Sequence, residues 1–322
     1  MNLFLFLFFL IALFALELLY FQIANHYDII DKPNHRSSHT KVTIRGGGII
    51  FTIALLLYSI CSGLTYPYFL LGLLAISLIS FIDDIRPVSN KVRILIHLAA
   101  VALLFFQLNI FTLPFYWILA ALIFVIGTIN AINFMDGING ITGGYGLITL
   151  CTLYYINTAV IPFTSAGFLI IAILAVLVFN FFNFRTKAKC FAGDVGSVSL
   201  AFIILFFLLQ LITKTENLSY FILLLMYGLD AITTIVFRLI RRENIFEAHR
   251  SHFYQFLANE RKVPHLLVAS LYALIQLVIN TVFITTSSKS EFSLVLSVVI
   301  FTIIFIAVRL FLEGRDRLLK PL

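Results

Sequence analysis

Eleven apolar runs, near residues 2–24, 47–63, 67–82, 92–109, 113–132, 141–159, 165–183, 196–213, 218–240, 264–286 and 292–312, take up most of this chain. About 20 apolar residues in a helix cross the hydrocarbon of a bilayer, so runs of this length predict membrane helices. Only 11% of residues are charged, against 61% hydrophobic, where a soluble domain carries about a quarter charged. The longest polar segments, 25–46 and 241–263, leave no room for a soluble domain. The expected fold is an all-α integral membrane protein of about 11 transmembrane helices, one polytopic domain over residues 1–322. The first run, MNLFLFLFFLIALFALELLY, lacks a basic leader and a small-residue cleavage site, so it reads as a first span and not a removed signal. Cys61, Cys151 and Cys190 have neither metal-ligand nor redox spacing.

The charge is one-sided. Of the 22 Lys and Arg residues, all but Lys214 and Lys289 fall in one set of loops or at the helix ends beside them. Basic loops mark the cytoplasmic side, which puts the N-terminus outside and the C-terminus inside. The net charge of +7 is therefore spread over short loops between spans, and nucleic acid is not an expected partner. Asp28, Asp31, Asp83, Asp84, Asp136 and Asp194 map to that same side. Ion-coupled transporters concentrate carboxylates at broken helices near the midplane. Carboxylates gathered at one interface suit an active site that faces the cytoplasm and takes a lipid substrate from the membrane.

Each polar motif also has a bland reading. In SFIDDIRP (80–87) two adjacent carboxylates end a span, and residues about 100° apart on a helix are expected to send one of the pair into a shared site; the bland reading is a solvated helix end. CFAGDVGSVSL (190–200) puts Asp194 in a Gly-flanked turn opening a helix, suited to phosphate at the free N–H groups and to Mg²⁺ at the carboxylate, or else simply a helix cap. RGGGII (45–50) opens another helix with basic and Gly-rich chemistry, or packs tightly. FEAHRSHFYQFL (246–257), if helical, sets His249 and His252 on one face; it lacks zinc spacing and suits phosphate or sugar, or an anionic lipid surface. Asp230, midway along its span, is a functional suspect by position, or is satisfied by hydroxyls of neighbouring helices. NFMDGING (133–140) interrupts the apolar runs with a carboxylate, two amides and two glycines.

Together DKPNHRSSHTKVTIRGGG, FIDD, NFMDGINGITGG, FAGDVGS and AHRSHFYQ, in that order over about residues 28–257, resemble the polyprenyl-phosphate N-acetylhexosamine-1-phosphate transferases (glycosyltransferase family 4). The AHRSHFYQ form is most similar to the initiating transferases of O-antigen or capsule synthesis. Two positions depart from the pattern: Ile44 stands where Pro commonly precedes the Arg, and Asn139 replaces the second Asp of DGxDG. The resemblance implies transfer of a sugar 1-phosphate from a UDP-N-acetylhexosamine to undecaprenyl phosphate with release of UMP, at the inner membrane, with Mg²⁺ or Mn²⁺ as cofactor and a possible homodimer. It makes Asp83, Asp84 and Asp194 the catalytic candidates and Asp194 and Asn133 the metal candidates. Asn133, Asp136, Asn139, Lys41, Arg45, Lys189, His249, Arg250 and His252 are the substrate-binding candidates. The competing class is an ion-coupled transporter or lipid flippase, for which only Asp230 speaks.

Overall fold

The computed structural model describes residues 3–31, 42–245, 250–286 and 291–320. Nine helices in them are long and apolar enough to cross a membrane. These are α1 (Leu3–His26), α3 (Pro67–Ile85), α4 (Asn90–Gln107), α5 (Phe115–Met135), α7 (Ala166–Asn183), α8 (Gly193–Thr215), the segment Leu218–Ile240, α11 (His265–Thr285) and α12, Glu291–Glu313, by its Val295–Glu313 part. The other two apolar runs give shorter helices, α2 (Ile49–Ser62, 14 residues) and α6 (Ile141–Tyr155, 15 residues), the second extended by a wide turn at Ile156–Val160. At about 1.5 Å per residue, α2 reaches only about 21 Å.

The expectation of a purely helical fold misses one element. Ile30–Asp31 (β1) and Thr43–Ile44 (β2) pair antiparallel, and Ile44 forms a parallel bridge with Cys190. Gly47 N–H donates to the Phe191 carbonyl (2.9 Å), Gly48 N–H to the Ala192 carbonyl (3.1 Å), and Phe191 N–H to the Ile44 carbonyl (2.8 Å). The RGGG and FAGD segments are thus zipped together by their backbones.

Helix α8 is the hub, with 94% of its most apolar stretch buried. It packs on α3 through the stacked rings of Phe69 and Phe206, 3.8 Å apart, and crosses α2 where Gly48 meets Gly196. Leu218–Leu224 is a 3-10 turn that runs into α9 (Leu225–Ile240), so this segment is broken within the hydrophobic zone. Non-helical backbone is tolerated at that depth only where protein groups satisfy it. Gln276 of α11 does so: it accepts from Met226 N–H (2.9 Å) and donates to the Ile222 carbonyl (3.0 Å). Two short helices complete the fold, α10 (Phe253–Gln255) and α13 (Arg315–Leu319).

Candidate functional site

The first N–H groups of a helix have no partner within it. At α8 the missing acceptor comes from the end of α3. Asp84 accepts from Asp194 N–H (2.8 Å) and Val195 N–H (3.0 Å), and its side chain, fully buried, pairs with Arg45 Nε at 2.7 Å. Gly193 turns here at φ +72°, and a Cβ on it would stand 2.5 Å from the Asp84 carboxylate and 2.9 Å from the Gly46 backbone. Only glycine fits that turn. Asp84 is thus occupied in joining α3, α8 and the RGGG segment.

Asp83, the neighbour, points elsewhere. It accepts from Val88 N–H (2.7 Å) and pairs with Arg93 at 2.8 Å, and it keeps 12% of its side chain exposed. Asp194 lies between the two guanidinium groups, 3.7 Å from Arg45 and 3.6 Å from Arg93, and within hydrogen-bonding reach of the Asp83 carboxyl. Three carboxylates and two arginines leave one surplus negative charge. Two like charges at about 4 Å repel by about 4 kcal/mol at an effective dielectric of 20, a repulsion that a cation set between the two carboxylates would relieve. Mg²⁺ is commonly held by one or two carboxylates, with water and substrate phosphates completing its shell. Two carboxylates suit that ion, although no three His, Cys, Asp or Glu among the described residues are grouped so as to hold a metal by themselves.

The NFMDGING segment closes the same end of the bundle. Asn133, on the last turn of α5, accepts from the Ser197 hydroxyl (2.5 Å), one turn along α8 from Asp194. Asp136 accepts from Thr142 (2.6 Å), and burial pushes its carboxyl up to about 7. Asn139 does not face this cluster: its amide nitrogen donates to the carbonyls of Arg185 (2.9 Å) and Thr186 (3.4 Å). A carboxylate has no hydrogen to give there, so the departure from DGxDG has a local cause.

The structure brings Asp84, Asp194 and Arg45 into direct contact, links Asp83 to Asp194 through Arg93, and ties Asn133 to them through Ser197. Lys189 is exposed beside the FAGD segment. Lys41 and His249 lie outside the described residues. Residues 250–252 are not helical; α10 starts at Phe253, so the shared helical face expected for His249 and His252 does not extend through them. Arg250 is half-buried, and His252 is buried with Nδ1 3.3 Å from Asp230 Oδ1. Asp230 also accepts from Tyr272 (2.6 Å), Thr234 (3.2 Å) and two backbone N–H groups, so its oxygens are engaged by protein donors. Sequence reasoning missed Arg93, which it counted only as loop charge. The signal was its place on the first turn of a span directly after the paired aspartates.

The two aspartates should separate on mutation. Asp83→Asn removes a charge that faces Arg93 and Asp194, so turnover should fall more than in Asp84→Asn. Asp84→Asn should instead lower the thermal midpoint more, since it leaves a buried helix end and Arg45 without their partner. Equal losses of turnover at both positions in a purified-enzyme assay would contradict this division.

Residues 66–212 match the family model for glycosyl transferase family 4, a family of sugar-phosphate transferases that act on polyprenyl phosphate. The match runs from α3 through most of α8 and so contains Asp83, Asp84, Asn133, Asp136 and Asp194; Arg45 and the 250–256 segment lie outside it. No curated protein matches the chain.

Proposed function

We propose, with the glycosyl transferase family 4 match as premise, that this protein transfers an N-acetylhexosamine 1-phosphate from a UDP-sugar to undecaprenyl phosphate. An oxygen of the lipid phosphate attacks the β-phosphorus of the UDP-sugar, the bond to the α-phosphate oxygen breaks, and UMP leaves. The product is a polyprenyl-diphosphate-linked sugar, the kind of lipid that starts a cell-surface glycan. The observation that carries this reading is the Asp83–Asp194 pair set between Arg45 and Arg93. Both substrates are anionic, and phosphoryl transfer depends mainly on positioning and charge stabilisation.

Asp194 and Asp83 would hold Mg²⁺, with Asn133 beside them. The ion, when bound, neutralises developing charge on the diphosphate. Arg45 and Arg93 draw the phosphates in. Asp83 orients the lipid phosphate and need not deprotonate it, because a phosphate monoester loses its second proton near pH 6. Asp136, Arg250 and His252 would contact the sugar nucleotide. The excess of Lys and Arg in the loops at this end supports a cytoplasmic face for the site.

The test is purified protein with undecaprenyl phosphate, Mg²⁺ and a panel of UDP-GlcNAc, UDP-GalNAc, UDP-QuiNAc and UDP-FucNAc. UMP release with at least one donor, abolished by excess EDTA and restored by added Mg²⁺, is the expected result. No UMP release with any donor would overturn the assignment; an undiminished rate in EDTA would overturn the metal's part in it.

A further inference from the structure

A charged carboxylate inside a membrane helix is costly and is kept where it has a task. Asp230 is fully buried in α9, yet only one of its five side-chain partners, Thr234, belongs to its own helix. One comes from α11, the Tyr272 hydroxyl. The remaining three lie in one short stretch: His252 Nδ1 at 3.3 Å, Phe253 N–H at 2.9 Å and Tyr254 N–H at 3.2 Å. Behind Asp230 stands Arg309 of α12, itself buried, which donates to Thr234 (2.9 Å) and Thr233 (3.0 Å) and to the Ser251 carbonyl (3.0 Å). The same stretch is held from the other side. The Tyr254 hydroxyl donates to the Phe134 carbonyl (2.9 Å), and its ring leans on Gly137, where a Cβ would come within 2.2 Å of that hydroxyl. Burial holds the Tyr254 phenol well above its ordinary range, so it remains a donor.

We propose that Asp230, braced by Arg309, is a positioning residue that sets where the 250–256 segment stands against NFMDGING, and thereby fixes the fit of the sugar nucleotide. This rests on the transferase reading above. A membrane carboxylate and a cation of the last long helix thus hold together the two segments that carry Arg250, His252, Asn133 and Asp136. The phosphoryl-transfer cluster of Asp83, Asp194, Arg45 and Arg93 does not include either residue. The effect of disturbing Asp230 therefore falls on donor binding and leaves the transfer step largely intact.

The experiment measures kcat and the Michaelis constants of both substrates in the full-length protein and in D230N, Y254F and D230N/Y254F, with thermal midpoints alongside. D230N replaces one acceptor oxygen by a donor nitrogen, so a segment N–H or the Tyr272 hydroxyl loses its partner. The UDP-sugar constant should rise at least about tenfold, the size of one hydrogen bond to a charged group. The polyprenyl phosphate constant and kcat should stay within about threefold of wild type. Y254F, which loses a single hydroxyl and keeps the ring on Gly137, should raise the same constant by less. The double variant should fall short of the product of the two, since both act through one segment. An unchanged UDP-sugar constant in Y254F or D230N overturns the proposal, as does a D230N loss spread equally over kcat and both constants. If D230N is not recovered folded, Y254F decides alone. A wild-type protein that releases no UMP sinks the transferase reading and this inference with it; an active wild type with unaltered variants sinks only the inference.

Discussion

Asp194→Asn should lower turnover at least about 100-fold while the protein stays folded, because a charged group at the centre of a charge-neutralising site is worth several kcal/mol. The fold has little need of this carboxylate. The N–H groups at the start of α8, including that of Asp194 itself, are satisfied by Asp84. The contacts of the Asp194 side chain with Arg45 and Arg93 are long, 3.7 and 3.6 Å, and both arginines keep a closer acid, Asp84 and Asp83. Asparagine has the same shape and retains one oxygen. What disappears is the negative charge facing Asp83, and with it the reason for a cation to sit there. UMP release and a thermal-shift measurement on the same preparation check this. A loss of turnover below tenfold would remove Asp194 from the centre of the mechanism.

Gly48→Ala should damage the fold more than any single change to the acidic cluster. A Cβ on Gly48 would lie 2.2 Å from the Gly196 Cα and 3.0 Å from the Ala192 carbonyl oxygen. Both are backbone atoms, so no side chain can swing aside, and α2 and α8 must separate. Close helix crossings in membranes rely on small residues for this reason. Overpacking of a tight contact costs about 1–3 kcal/mol even where side chains can adjust. The thermal midpoint should fall by several degrees, or folded protein should not be recovered. Activity should fall with it, because the displaced backbone carries Arg45 and Asp194. Gly228→Ala is the control: nothing lies within 4 Å of its added Cβ, and replacing a mid-helix glycine is neutral or mildly stabilising. A Gly48→Ala midpoint equal to wild type would refute the crossing.

Much of the fold could be read in advance because membrane helices announce themselves one at a time. A run of apolar residues needs no knowledge of its neighbours to be helical, so α3, α5, α7 and α8 fall where hydropathy places them. The candidate site was legible for a related reason: Asp83, Asp84, Asn133, Asp136 and Asp194 are conspicuous against an apolar background. What could not be read depends on partners far away in sequence. Nothing in FIDD says which aspartate turns inward; that is decided by the N–H groups of Asp194 and Val195, about 110 residues later. Asn139 looked like a nucleotide contact because its donors' targets, the carbonyls of Arg185 and Thr186, lie 46 and 47 residues on. The pairing of Ile44 with Cys190 is a backbone event between two Gly-flanked loops and leaves no hydropathy signature.

The break at Leu218–Leu224 bears on how the protein is made. The ribosome delivers Leu218–Ile240 to the membrane before α11 exists. Until α11 arrives, the Ile222 carbonyl and the Met226 N–H lack the Gln276 amide that satisfies both. An unsatisfied peptide group in hydrocarbon costs several kcal/mol, so this segment gains its final shape only with a side chain synthesised 50 to 54 residues later. A nascent chain stalled before residue 265 would present those open peptide groups to membrane quality control, and a substitution of Gln276 by an apolar residue would prolong the same exposure in the finished chain.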